Sequence, residues 1–145
     1  MKAVVQRVLS ARLSVNGETV SEIGKGLVVF LGVGKGDEIK DCEFFIKKIP
    51  ALRIFEDENQ KINRSIIDEG GEILLVSQFT LFADTSHGNR PSFFDAELPD
   101  RADELYKTVG KGLEKSVKVS YGVFGADMKI EQVNDGPFTV IMQSR

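Results

Sequence analysis

Five consecutive apolar, β-prone residues, Leu27-Val28-Val29-Phe30-Leu31, stand between Gly24-Lys25-Gly26 and the glycine-rich stretch Gly32 to Gly36. An unbroken run of this length reads as a strand covered on both faces, because a half-solvated strand would alternate apolar and polar side chains. The chain is therefore expected to build layers around a sheet whose centre is this run. A second run, Glu72-Ile73-Leu74-Leu75-Val76, follows Gly70-Gly71 and has the same character. Neither run is long enough to span a bilayer, and Met1 to Arg7 lacks the apolar core of a signal peptide. No membrane partner and a cytoplasmic location are expected.

The elements around these strands follow from periodicity. Lys2 to Val8 is valine-rich, and Ala11 to Val15 alternates up to Asn16-Gly17, the dipeptide suited to a two-residue hairpin turn with both φ angles positive. Glu18 to Ile23 is the returning arm. Ile39, Cys42, Phe45, Ile46 and Ile49 recur at helical spacing and predict an amphipathic helix capped by Asp37 and ending near Pro50. A second helix is predicted from Pro99 to about Ser116, with Ala102, Leu105, Tyr106, Val109 and Leu113 as its apolar stripe. The tail returns to strands at Val117 to Tyr121, Met128 to Val133 and Phe138 to Met142, the last two joined by a turn at Asn134-Asp135-Gly136-Pro137. At 145 residues, 41% hydrophobic and 28% charged, the chain is the size of one domain with a real core. We read residues 1–145 as a single α+β domain, β-rich and mostly antiparallel, with two amphipathic helices packed on one side.

Composition removes several chemistries. One cysteine, Cys42, and one histidine, His87, leave no zinc site of several Cys or His ligands and no disulfide framework. No metal and no other cofactor is expected. A Ser-His-Asp or Cys-His mechanism would have to use His87, which lies in the polar, loop-like stretch Asp84 to Asn89. With 19 Lys and Arg against 22 Asp and Glu, the formal net charge is -3, so any nucleic-acid contact must be local rather than a broad basic coat, and DNA is not an expected partner. Gly32-Val33-Gly34-Lys35-Gly36-Asp37 sits between strand and helix but fits neither phosphate-loop spacing, and reads as a connection. Glu56-Asp57-Glu58 lacks calcium-loop spacing and reads as a solvated turn.

Two segments carry chemistry in their residue types. Ser77-Gln78-Phe79-Thr80 places two hydroxyls and an amide at the end of a buried strand, where they either line a site or satisfy nearby backbone groups. Gly136-Pro137 admits close approach of a ligand and leaves carbonyls free to accept hydrogen bonds, and is equally what a tight turn looks like. Ser77-Gln78-Phe79-Thr80-Leu81, Arg90-Pro91-Ser92-Phe93 and Asn134-Asp135-Gly136-Pro137-Phe138-Thr139, with Gln6-Arg7-Val8 at the start, together resemble the ordered signature of the bacterial D-aminoacyl-tRNA deacylases over essentially the whole chain.

The resemblance implies a homodimer with two sheet layers and a helical layer. The implied reaction is hydrolysis of the ester between a D-amino acid and the terminal adenosine of tRNA, with the acceptor end of aminoacyl-tRNA as partner. It further implies a cis Gly136-Pro137 peptide that reaches into the other subunit's site and turns its carbonyls toward the substrate's amino group. Backbone N–H groups around Phe79 and Thr80 would then stabilise the oxyanion, with Ser77 and Gln78 shaping the pocket and the tRNA 2′-OH assisting water. Arg7 would hold the Gly-Pro segment, and Ala126 and Met128 would lie near the adenine. An L side chain would be driven into the Gly-Pro backbone, whereas a D side chain points to solvent and glycine has none to exclude. Two positions depart from the family's usual pattern: Phe138 stands where a smaller aliphatic residue is common, and Ser86-His87 where a more basic pair is. The rival readings are an acyl hydrolase with Thr80 as nucleophile and a noncatalytic RNA-binding dimer module.

Overall fold

A computed structural model of the chain describes residues 1–144. In chain order the elements are β1 (Lys2–Val15), β2 (Glu18–Ile23), β3 (Gly26–Gly32), α1 (Ile39–Ala51), β4 (Phe55–Glu56), β5 (Ile62–Arg64), α2 (Ile66–Glu69), β6 (Glu72–Ser77), a 3-10 turn (Phe79–Phe82), α3 (Pro99–Leu113), β7 (Lys118–Tyr121) and β8 (Lys129–Gln143). None of the described helices is long and apolar enough to cross a membrane.

Asn16 and Gly17 have φ of 51° and 81° and close the β1–β2 hairpin as the dipeptide predicts. The main sheet runs β2-β1-β3-β6-β7, with β8 on the other side of β1, and β4 and β5 form a separate two-stranded ribbon. The antiparallel expectation holds for β1 with β2, β3 and β8, but β3 and β6, and β6 and β7, pair in parallel. The reason is in the connections: α1 lies between β3 and β6, and α3 between β6 and β7, so each helix returns the chain to the end where the previous strand began.

The two buried runs are covered on both sides as their composition requires. Leu27, Val29 and Leu31 of β3 with Ile73 and Leu75 of β6 pack under Cys42, Phe45 and Ile49 of α1 and Leu105, Val109 and Leu113 of α3. Val28, Leu74 and Val76 point the other way, onto Val8, Ala11 and Leu13 of β1 and Ile23 of β2. The sheet therefore curls so that β2 crosses over β7, where the Ser21 hydroxyl donates to the Tyr121 carbonyl. The two sheet layers are halves of one curled sheet, with the helices as the third layer. Each fully buried Leu, Ile or Phe in these cores contributes about 1.5–3 kcal/mol.

Three local expectations change. Asp37 does not cap α1; its carboxylate accepts from the Met1 amine at 2.7 Å and the Gly34 N–H at 2.6 Å, while Asp41 accepts from the Glu38 N–H at the helix start. Pro50 lies inside α1, which ends at Ala51. Asn134 to Pro137 is not a turn between two strands but the interior of β8, where pairing with β1 slips between Gln6 and Val8 and again between Val8 and Ser10. That irregularity, a local bulge, absorbs a segment whose proline cannot donate to the ladder.

Candidate active site

β6 ends at Ser77 because the chain leaves the ladder there: the Gln78 N–H still reaches the Leu31 carbonyl at 2.9 Å, and the backbone then winds into the 3-10 turn. Bonding within that turn starts at the Leu81 N–H, which donates to the Gln78 carbonyl, and continues with Ala83 to Thr80. The N–H groups of Phe79 and Thr80 precede the first bonded donor, the position where a helical turn has donors to spare. The Gln78 amide donates to the Thr80 hydroxyl. An amide cannot accept a proton in exchange, so no base is hydrogen-bonded to Thr80.

Ser77, Gln78 and Phe79 line a cleft of about 650 Å³. Ala126 and Met128 line it from the β7–β8 connection, so the structure brings these five sequence-selected residues together. Thr80 is exposed at the next position along the turn. The motif residue Phe93 closes another side, its ring meeting that of Phe79 edge-on at 5.0 Å between centroids. The segment that carries it is held to the β3–α1 connection by the Lys35 N–H to Asp95 carbonyl and Glu97 N–H to Val33 carbonyl bonds. This is the role the structure assigns to the glycine-rich stretch at 32–37: a scaffold for one cleft wall.

Phe124, Glu97 and Leu98 also line the cleft, and sequence reasoning did not select them. The available signal was the Gly122 to Gly125 segment, two glycines bracketing an aromatic between β7 and β8; Gly125 has φ of 74° and the Ala126 N–H closes the turn onto Val123. His87 is exposed and does not line the cleft. Asp57 accepts from the Asn59 and Lys61 N–H groups and the Asn63 amide, which holds its carboxyl below the usual range and agrees with a solvated turn.

Gly136 and Pro137 lie apart from the cleft of their own chain. Their peptide is cis, Gly136 has φ of 128°, and both residues are exposed. Beneath them Arg7 is buried: one guanidinium nitrogen donates to the Ile54 carbonyl at 2.6 Å, and Nε reaches the Asp135 carbonyl and carboxylate, each at 3.2 Å. The Arg7 guanidinium thus ties the bulged segment of β8 to the segment following α1.

Comparison with known proteins adds identity to this geometry. The sequence profile described as D-Tyr-tRNA(Tyr) deacylase matches residues 4–143. A D-aminoacyl-tRNA deacylase of Persephonella marina is 52% identical over 145 residues, covering 100% of this chain and 99% of its own. One from Geobacillus sp. (strain WCH70) is 49% identical over 146 residues, covering 100% and 96%. Among solved structures, the c-Myc DNA Unwinding Element Binding Protein is 42% identical with a TM-score of 0.95, over 100% of this chain and 99% of that one. A probable eukaryotic D-amino acid tRNA deacylase shares the fold at 18% identity, with a TM-score of 0.78 over 97% of each chain. With its profile matched almost end to end and relatives near half identity over their full length, the chain belongs to the D-Tyr-tRNA(Tyr) deacylase family.

Proposed function

We propose that this protein hydrolyses the ester between a D-amino acid and the terminal adenosine of tRNA, releasing the free D-amino acid and the tRNA. The observation that carries the reading is the cleft itself, where Ser77, Gln78 and Phe79 face Ala126 and Met128 at the start of a turn with donors to spare. The full-length relatives named D-aminoacyl-tRNA deacylase supply the substrate class.

In this reading the aminoacyl carbonyl sits against the Phe79 and Thr80 N–H groups, which stabilise the oxyanion as water adds to the carbonyl carbon. The 2′-OH of the adenosine assists the water, the bond to the ribose 3′ oxygen breaks, and that oxygen takes the proton. Ser77 and Gln78 shape the pocket, and Ala126 and Met128 border the adenine. No step is assigned to a metal or other cofactor. The protein acts as a homodimer in the cytoplasm, and Gly136-Pro137 of one subunit enters the cleft of the other; its exposure outside its own cleft supports this arrangement. There its carbonyls accept from the substrate's amino group and exclude an L side chain, while D side chains and glycine pass.

The test is the rate of ester loss from matched D-Tyr-tRNA and L-Tyr-tRNA, with chelator present. Selective loss of the D ester is the expected result; equal rates for both esters would overturn the chiral reading. A second reading, nucleic-acid binding without turnover, draws on the 42% identical neighbour described as a DNA-binding protein. Retained tRNA binding with no ester loss would favour it.

A further inference from the structure

A second concavity of about 820 Å³ lies between the C-terminal half of α3 and β7, and it shares a wall with the cleft: Phe124 lines both. The groove is aromatic, since Tyr106 meets Tyr121 at 6.3 Å and Phe124 at 6.0 Å between ring centroids. An apolar surface thus continues out of the cleft and along α3.

The rim of this groove reverses the charge of the chain. Four lysines stand against one glutamate between Lys107 and Lys118, in a protein whose net charge is -3. Lys107 pairs with Asp103 at 2.6 Å and Lys118 with Glu72 at 2.5 Å. Lys111, on the groove, and Lys115, four residues on, are exposed and form no ion pair among the described residues. The two carboxylates on the groove are occupied, Asp103 by Lys107 and Glu114 as acceptor of the Tyr121 hydroxyl. Lysines at a helix C-terminus complement the helix dipole in any protein. That does not account for a concave aromatic wall running between them and the cleft.

We propose that this groove carries the single-stranded acceptor end of the tRNA immediately 5′ of the terminal adenosine. Lys111 and Lys115 face its phosphates, and the aromatic wall offers an apolar surface to an unpaired base. The inference rests on the deacylase reading and extends it from the terminal nucleotide to the ones before it. It also accounts for how an acidic protein holds RNA: a few ammonium groups beside the cleft suffice when only the end of the molecule is gripped.

The experiment compares two substrates, D-Tyr-tRNA and the D-tyrosyl ester of adenosine, in the full-length protein and in Lys111→Glu/Lys115→Glu. For D-Tyr-tRNA the variant is expected to raise KM about fivefold or more with kcat unchanged, and to flatten the log-log salt dependence by about one. For the adenosine ester both constants stay as they were. Lys111→Gln/Lys115→Gln should give a smaller shift in the same direction, which separates lost attraction from added repulsion. Unchanged KM and salt slope on D-Tyr-tRNA would overturn the proposal, and so would an equal loss on both substrates, which would place the lysines' effect in the cleft. An unmodified protein inert on both esters would overturn the deacylase reading itself and this proposal with it.

Discussion

The Phe138 ring lies over the Arg7 guanidinium, with the Arg7 Cζ 5.1 Å from the ring centroid. Arg7 is held on its other contacts by the Ile54 and Asp135 carbonyls, so the ring completes a cage around a buried cation. Phe138→Val should remove the ring contact and part of its packing, costing about 1–2 kcal/mol. Arg7→Ala should cost about 2 kcal/mol or more, because it leaves the buried Ile54 carbonyl without its charged donor. Urea unfolding midpoints of the two variants check both, and Arg7→Ala should be the lower.

Gly136→Ala tests the exposed bulge directly. At φ of 128° an L side chain is strained, and a Cβ would lie 2.8 Å from the Phe138 backbone nitrogen, so the backbone must shift. Because Gly136 sits on the surface, the global fold should survive while the ratio of D-ester to L-ester hydrolysis falls. An unchanged ratio would remove Gly136 from chiral selection.

Thr80→Ala separates the backbone reading from its nucleophile rival. The Thr80 hydroxyl accepts from the Gln78 amide and has no base to deprotonate it. The variant should lose far less than the roughly 10²–10⁴-fold that a general base alone contributes to catalysis. A near-complete loss of kcat, with the fold intact by circular dichroism, would restore Thr80 as nucleophile.

Cys42 makes a prediction about pH. Burial, aided by the neighbouring Asp41 carboxylate, pushes its thiol up to about 11. The neutral thiol is favoured in the folded state, so its contribution is fully present below the unfolded value near 9.0 and is lost as pH rises toward 11. Stability should therefore fall across that window, and less in Cys42→Ala than in the unmodified protein after the cost of the substitution is subtracted. Thiol reagents at pH 8 should not label the native protein, since the thiolate is the reactive form and the side chain is fully buried.

Much of this protein is written in local pattern. The run Leu27 to Leu31 is apolar at every position, and a strand covered on both faces is what it becomes. Asn16-Gly17 dictates its turn, and the stripe of α3 from Ala102 to Leu113 is buried as its spacing requires. The ordered motifs also named the residues Ser77, Gln78, Phe79, Ala126 and Met128 that meet in the cleft. Pairing direction was beyond local pattern, because parallel or antiparallel neighbours present the same side chains to the same core. Asn134 to Pro137 has a turn's composition at every position, yet β1 runs past all of it and holds it within one strand. Only the tertiary structure set Phe124 between the cleft and the α3 groove, and set Gly136-Pro137 outside the cleft of its own chain. Those placements arise from contacts between residues far apart in sequence, and no local periodicity encodes them.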